Sequence, residues 1–241
     1  MCGRFGLTNS HGRVSKMFPG VQLLPDLEAR YNIAPTQLVL AVGRGGAELL
    51  RWGIAGKTPT GHFNLRAETI LRLPPGGELL TAGRVIVPAS HFYEWTGSGP
   101  RRHPLSIARQ DGELLALAGL RSKWIDPTSG EVVPAVTLLT TEPNALLAAL
   151  HNRMPVILDH REREEWRSGL PLTRDRLRAI LVPYPDGRLI ATQVSKLVNS
   201  ARNEGPELLG SPPPETGEQL ELLTQLEGDT AGLRRRSVFN Q

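Results

Sequence analysis

Chemistry enters this chain at its second residue. Cys2 is the only cysteine among 241 residues, so it can neither close an internal disulfide nor build a cysteine metal site. Its position beside Met1 matters more. The small side chain of Cys2 and the bare backbone of Gly3 favour removal of Met1, which would leave an α-amine and a thiol on neighbouring carbons. Their ordinary pKa values, ~8 and ~8.5, make both reactive near neutrality after modest perturbation. Such a 1,2-aminothiol condenses with an aldehyde. The amine forms an imine with loss of water, and the sulfur then adds to the imine carbon to close a thiazolidine. The alternative reading is a cysteine that follows the initiator by chance.

Three further positions could assist. Glu94 lies in the aromatic run Phe92-Tyr93-Glu94-Trp95. In a strand it shares a face with Phe92, and a carboxylate among aromatics loses solvation, so its pKa rises toward neutrality and it can exchange protons at pH 7. The alternative is a strand glutamate facing solvent. His151 ends an apolar stretch and precedes Asn152-Arg153-Met154-Pro155, a position that suits either general acid–base work or a helix cap. Asn64 and Arg66 stand two apart, so in an extended segment an orienting amide and a phosphate-holding guanidinium share one face. The histidines have no zinc-type spacing, and no nucleophile-elbow pattern accompanies any Ser, His and Asp set. Gly56-Lys57-Thr58 resembles the end of a phosphate loop, but Arg51 stands where that loop needs a glycine.

The elements that must position these groups are short. Thr8, Asn9 and Ser10 offer caps for a short helix reaching about Met17-Phe18 and stopped by Pro19-Gly20, and residues 37–42 and 47–52 read as a hairpin. Residues 63–69 read as a helix-like segment. Residues 84–88, 91–95, 104–108, 114–120, 135–141, 156–158 and 189–199 read as strands, with helices over 143–150, from Asp159 through Trp166 and over 173–181. Many close-spaced strands with few, short helices predict an antiparallel α+β or barrel-like domain. From Ser211 a Pro-, Glu- and Gly-rich texture predicts a flexible tail over 211–241, outside a domain of residues 2–210.

Composition sets the outer limits. With 39% hydrophobic and 22% charged residues the chain can bury a core of its own. No apolar run long enough to span a membrane and no secretory leader are visible, so no membrane partner and a cytoplasmic location are expected. The net charge is +4, and the cations are overwhelmingly arginine, whose planar fork suits phosphate. A nucleic-acid partner is thus permitted and not required.

Taken in order, Met1-Cys2-Gly3-Arg4-Phe5, Tyr31-Asn32-Ile33-Ala34-Pro35, Trp52-Gly53, Asn64-Leu65-Arg66-Ala67-Glu68-Thr69, Phe92-Tyr93-Glu94-Trp95, His151-Asn152-Arg153-Met154-Pro155 and Val194-Ser195 with Asn199 and Asn203 resemble the SRAP family, the SOS response-associated peptidases, also called abasic site processing proteins. The resemblance spans about residues 2–205. It implies a single α+β domain that loses Met1 by self-processing, binds single-stranded DNA and attaches covalently to abasic sites through a Cys2 thiazolidine, as a monomer, without cofactor or metal, and nucleoid-associated when on DNA. It further implies that Cys2 is the nucleophile, that Asn64 orients it, that Glu94 is the acid–base carboxylate and that His151 assists proton transfer. Arg4, Arg66 and Arg153 would contact phosphate or the sugar, and Pro35, Thr140 and Ser195 would line the strand's path. The chain departs from the family between Gly53 and Asn64, where the usual tryptophan is missing and Phe63 is the only aromatic. Two other readings stay open from the residues: a cysteine peptidase acting on peptides through Cys2, and a non-catalytic single-stranded nucleic-acid-binding module.

Overall fold

The fold grows from two long strands whose central residues are buried on both faces. A computed structural model describes residues 2–8, 10–25, 27–54, 62–97 and 102–211. Its strands are β1 (Phe5–Leu7), β2 (Arg30–Ile33), β3 (Leu38–Gly43), β4 (Gly46–Trp52), β5 (Asn64–Arg66), β6 (Arg84–Ala89), β7 (His91–Thr96), β8 (His103–Arg109), β9 (Leu115–Ile125), β10 (Val132–Thr141), β11 (Met154–Pro155) and β12 (Leu189–Gln193). Its helices are α1 (Ser10–Met17), α2 (Ala67–Ile70), α3 (Glu78–Thr81), α4 (Ala145–Ala148), α5 (His160–Arg167) and α6 (Arg174–Ile180).

Residues 115–120 of β9 form an unbroken buried run. Such a run, unlike an alternating one, needs cover on both faces. It receives β6 and β10 as lateral neighbours, and β3 and β4 complete a closed ring of five strands in the order β9-β10-β4-β3-β6. Closure leaves the ring without an open hydrogen-bonding edge. The second sheet runs β12-β8-β7-β1-β2, all antiparallel. Phe5 of β1 sets its ring edge-on to Trp52 of β4, with centroids 5.0 Å apart, so the sheet and the barrel share one apolar core. On the other face of the second sheet a smaller cluster gathers Tyr93, Val194, Val198 and Leu208, with Trp95 against it.

The α+β, barrel-like architecture with short helices is the one expected, and most elements fall where the sequence puts them. The differences are local. Residues 63–69 are not one helical segment: Asn64–Arg66 pair in parallel with Leu138–Thr140 of β10, and only then does α2 begin, burying Ala67 and Ile70. Sheet pairing here outweighs helix propensity. Together with the β4–β10 contact this makes β10 parallel to two neighbours within an otherwise antiparallel arrangement. Residues 156–158 hold only an isolated bridge, the strand proper being Met154–Pro155. The strand expected over 189–199 stops at Gln193. Ser195 then caps a 3-10 turn over Lys196–Asn199 by accepting from the Leu197 N–H. Asp159 begins α5 as expected, through a capping box with Glu162. Beyond Ser211 the expected tail lies outside the described residues, as does the loop holding Gly56-Lys57-Thr58.

β1 can lie flat against β7 because Gly6 has no side chain. A Cβ there would sit 2.5 Å from the imidazole of His91. That imidazole is buried, and its Nε2 lies 2.8 Å from the Tyr93 hydroxyl, which donates its single proton to the Tyr31 carbonyl at 2.8 Å. Nε2 must therefore be the donor of the first bond. Burial pulls the His91 pKa from 6.5 down to about 4. A histidine kept neutral in the folded chain and protonated in the unfolded one contributes stability above pH 6.5 that is lost as pH falls toward 4. Urea unfolding across that window should show a loss on the order of 3 kcal/mol, and His91→Gln should remove that part of the pH dependence. An unchanged pH profile in the variant would contradict the assignment.

Candidate active site at the start of the chain

The second sheet delivers Cys2. The Tyr93 N–H donates to the Arg4 carbonyl at 2.9 Å, so the β1–β7 ladder continues past the start of β1. Phe5 pairs with Phe92, and the same register carried two residues on sets Glu94 opposite Gly3, next to Cys2. Phe92 faces the main core, while Tyr93 and Trp95 belong to the outer cluster. Glu94 is accordingly buried, at 5% exposure, and not a solvent-facing glutamate. Cys2 is fully buried, and its Sγ lies 3.9 Å from the Arg4 carbonyl.

The barrel delivers the rest. β5, paired to β10, brings the Asn64 amide to the Cys2 carbonyl, to which Nδ2 donates at 2.8 Å. Asn64 Oδ1 is buried and accepts no hydrogen bond, which leaves an acceptor beside Cys2. His151 follows α4, whose first turn is closed by Asn144 Oδ1 accepting from the Leu147 N–H. The His151 Nδ1 accepts from the Arg153 N–H at 3.0 Å, so in the neutral ring the proton sits on Nε2. Asn64 and Glu94 thus both neighbour Cys2, and His151 stands on the connection from α4 into β11, which pairs with the Thr140–Thr141 end of β10.

Electrostatics follow from burial. Desolvation pushes the Cys2 thiol well above its ordinary range, and the Glu94 charge adds to the effect. Desolvation likewise raises the Glu94 pKa and lowers that of His151, so the imidazole is neutral at pH 7. The site therefore pairs a protonated thiol with a carboxyl whose titration is drawn toward neutrality.

The residues expected to meet DNA are distributed differently. Arg4 is held by Asn32 Oδ1 at 2.7 Å and the Val198 carbonyl at 2.8 Å, with its guanidinium 5.9 Å from the Trp95 ring. Arg153 forms a two-pronged pair with Glu68, at 2.7 and 2.9 Å, and also donates to the Thr140 carbonyl. Arg66 is exposed and makes no ion pair among the described residues. Pro35 is half-buried and precedes Thr36, whose φ of 81° is left-handed. Ser195 caps its 3-10 turn. Thr140, expected along the strand's path, is fully buried and donates to the Leu65 carbonyl at 3.3 Å, so it supports the β5–β10 pairing. Phe63, the aromatic left where a tryptophan is usual, packs edge-on against Trp52 at 5.8 Å. Sequence reasoning missed Asn32 and Glu68 as partners of Arg4 and Arg153. Both are polar residues inside strings already singled out, and a polar side chain between the apolar Tyr31 and Ile33, as Asn32 is, is the available signal. No cluster of three metal-ligating side chains occurs among the described residues, and no described helix is long and apolar enough to cross a membrane.

Glu94 gives a sign that can be measured. A carboxylate whose folded pKa is raised destabilises the fold at any pH where it must ionise inside. Glu94→Gln should therefore raise the melting temperature at pH 7.5, with the gain vanishing as pH falls below the ordinary glutamate value of ~4.3. A lower melting temperature at pH 7.5 would argue against a desolvated charge at this position.

The protein-family model described as SOS response associated peptidase (SRAP) matches residues 1–201. The chain is 38% identical over 224 residues to abasic site processing protein YoqW of Bacillus subtilis (strain 168), covering 88% of this chain and 100% of that protein. It is 37% identical over 222 residues to abasic site processing protein YoaM of the same organism, covering 87% and 97%. A crystal structure of a protein from Bacteroides thetaiotaomicron shares the fold with a TM-score of 0.73 at 21% identity, covering 87% of this chain and 99% of that one. The chain belongs to the SRAP family.

Proposed function

We propose that this protein processes abasic sites in single-stranded DNA by forming a thiazolidine crosslink through Cys2 once Met1 has been removed, by the chain itself, and that residues 2–210 form the working domain. The observation that carries this reading is a buried cysteine at the chain's start whose carbonyl is held by Asn64 and whose thiol lies beside a desolvated Glu94. The names of YoqW and YoaM supply the substrate class.

The ring-opened form of an abasic sugar presents an aldehyde. The neutral α-amine of Cys2 adds to that carbon to give a carbinolamine. Glu94, in its protonated form, gives a proton to the departing hydroxyl, water leaves and a protonated imine forms, its nitrogen keeping the remaining amine proton. The carboxylate so produced takes the proton of the Cys2 thiol as sulfur attacks the imine carbon and closes the ring. The high thiol pKa suits this order, because a thiol kept protonated does not compete with the amine for the aldehyde. The Asn64 Oδ1 acceptor orients the amine, and His151, neutral with its proton on Nε2, assists opening of the sugar. Arg66 is the guanidinium open to a backbone phosphate, and Arg4 and Arg153, fixed by protein partners, shape the walls through which the strand passes, with Pro35 and Ser195 alongside. Affinity should then fall with salt as counterions are displaced.

Mixing the protein lacking Met1 with a single-stranded oligonucleotide carrying one abasic site should give, by intact mass, an adduct of protein plus DNA minus one water. Cys2→Ala should give no heat-stable adduct, and Asn64→Ala should slow formation by about tenfold, the worth of one hydrogen bond to a reacting group. A heat-stable adduct from Cys2→Ala at the wild-type rate would overturn the role of sulfur. Cleavage of a casein-type substrate without any adduct would favour peptide hydrolysis instead.

A further inference from the structure

A second charged cavity lies at the other end of β8. Leu105 of β8 pairs with Glu94, whereas Arg109 stands four residues further along the strand, about 13 Å away at ~3.3 Å per residue. There the last turn of α1, the β8–β9 connection and the first turn of α5 enclose a cavity of about 500 Å³. Five cations line it, Lys16, Arg109, Arg161, Arg163 and Arg188, against the carboxylates of Glu113 and Asp159.

Three of the cations already have partners. Lys16 pairs with Glu113 at 2.7 Å, Arg188 with Asp159 at 2.7 Å, and Arg109 with Asp111 through both prongs of its fork. The other two are less completely paired. The Arg161 side chain makes no hydrogen bond or ion pair among the described residues. Arg163 has a buried Nε without a hydrogen-bond partner. The carboxylate nearest to it, Glu164, is 3.9 Å away and is bonded to Arg167 at 2.6 Å. The Arg163 side chain is 12% exposed and its guanidinium stacks 5.7 Å from the Phe18 ring. A buried, incompletely paired guanidinium is costly to leave in a wall unless something completes it. Asp159 and Glu162 close the capping box of α5, which takes up two of the N–H groups at that helix end, and the cavity is lined chiefly by side-chain cations.

We propose that this cavity is a second anion site that binds a phosphate group, gripped by Arg161 and Arg163 and flanked by Lys16 and Arg188. The fork of arginine matches two phosphate oxygens at once, and a dianion offsets the excess of cations better than a carboxylate does. The phosphate could come from the backbone of a nucleic-acid strand or from a free phosphorylated compound. The inference does not rest on the chemistry assigned to Cys2.

The test is calorimetric titration of the full chain at low salt with two probes, inorganic pyrophosphate and an intact twelve-nucleotide single strand without an abasic site. Arg161→Glu, at an exposed helix start that tolerates acid, and Arg163→Lys, which keeps charge but loses the fork, are titrated beside the wild type. Melting curves establish that each variant is folded. The expected result is that Arg161→Glu weakens at least one probe by about tenfold or more, as loss of a charge-assisted hydrogen bond does, and that Arg163→Lys weakens the same probe. If that probe is pyrophosphate, the ligand is a free phosphorylated compound; if only the strand responds, it is backbone phosphate. Wild-type affinity for both probes in folded Arg161→Glu, or no saturable binding of either probe by the wild type, overturns the proposal.

Discussion

The structure depends on holding the first residues of the chain inside the molecule. A chain terminus ordinarily frays, because its few contacts do not offset the entropy of ordering it. Here Cys2 is fully buried. Three constraints hold the segment: the ladder between β1 and its neighbours, the packing of Phe5 on Trp52, and the bond from Asn64 to the Cys2 carbonyl. The first draws on the second sheet and the other two on the barrel. The relative position of two sheets is therefore read out at a single residue, and the shared apolar core is what keeps that position fixed.

The same arrangement explains the electrostatics. A terminus pushed into a core carries its neighbours' charges with it, and each ionisable group there resists its charged form. Thiol and carboxyl move up while the imidazole moves down. All three changes have burial as their main cause, so they stem from one packing decision. Such a site is expensive in stability, which is the ordinary condition of reactive centres.

Much of this was legible in the residues. The aromatic run around Glu94 read as a strand with a desolvated carboxylate, because alternation and composition agreed, and the register of β7 against β1 matches that reading. The hairpin of β3 and β4 and the capped start of α5 were equally legible, since turn and cap chemistry is local. What could not be read was pairing over distance. Asn64–Arg66 look helical until β10 is alongside, and nothing near them in sequence announces that partner. For the same reason Arg153 reads as a loose cation from sequence, whereas Glu68, 85 residues away, holds it. Motif strings reveal which side chains matter; they are silent on which of them have already been neutralised by one another.

The grip on Arg4 has a consequence for how the molecule is made. Asn32 and Arg4 are bonded to carbonyls at Val198, Ser200 and Asn203, 168 to 194 residues further along the chain. The segment around Arg4 is therefore fastened by residues made long after it. Until residues 198–203 have emerged, a nascent chain has no finished wall around Arg4 and the neighbouring Cys2, so this pocket is completed only late in synthesis of the described fold.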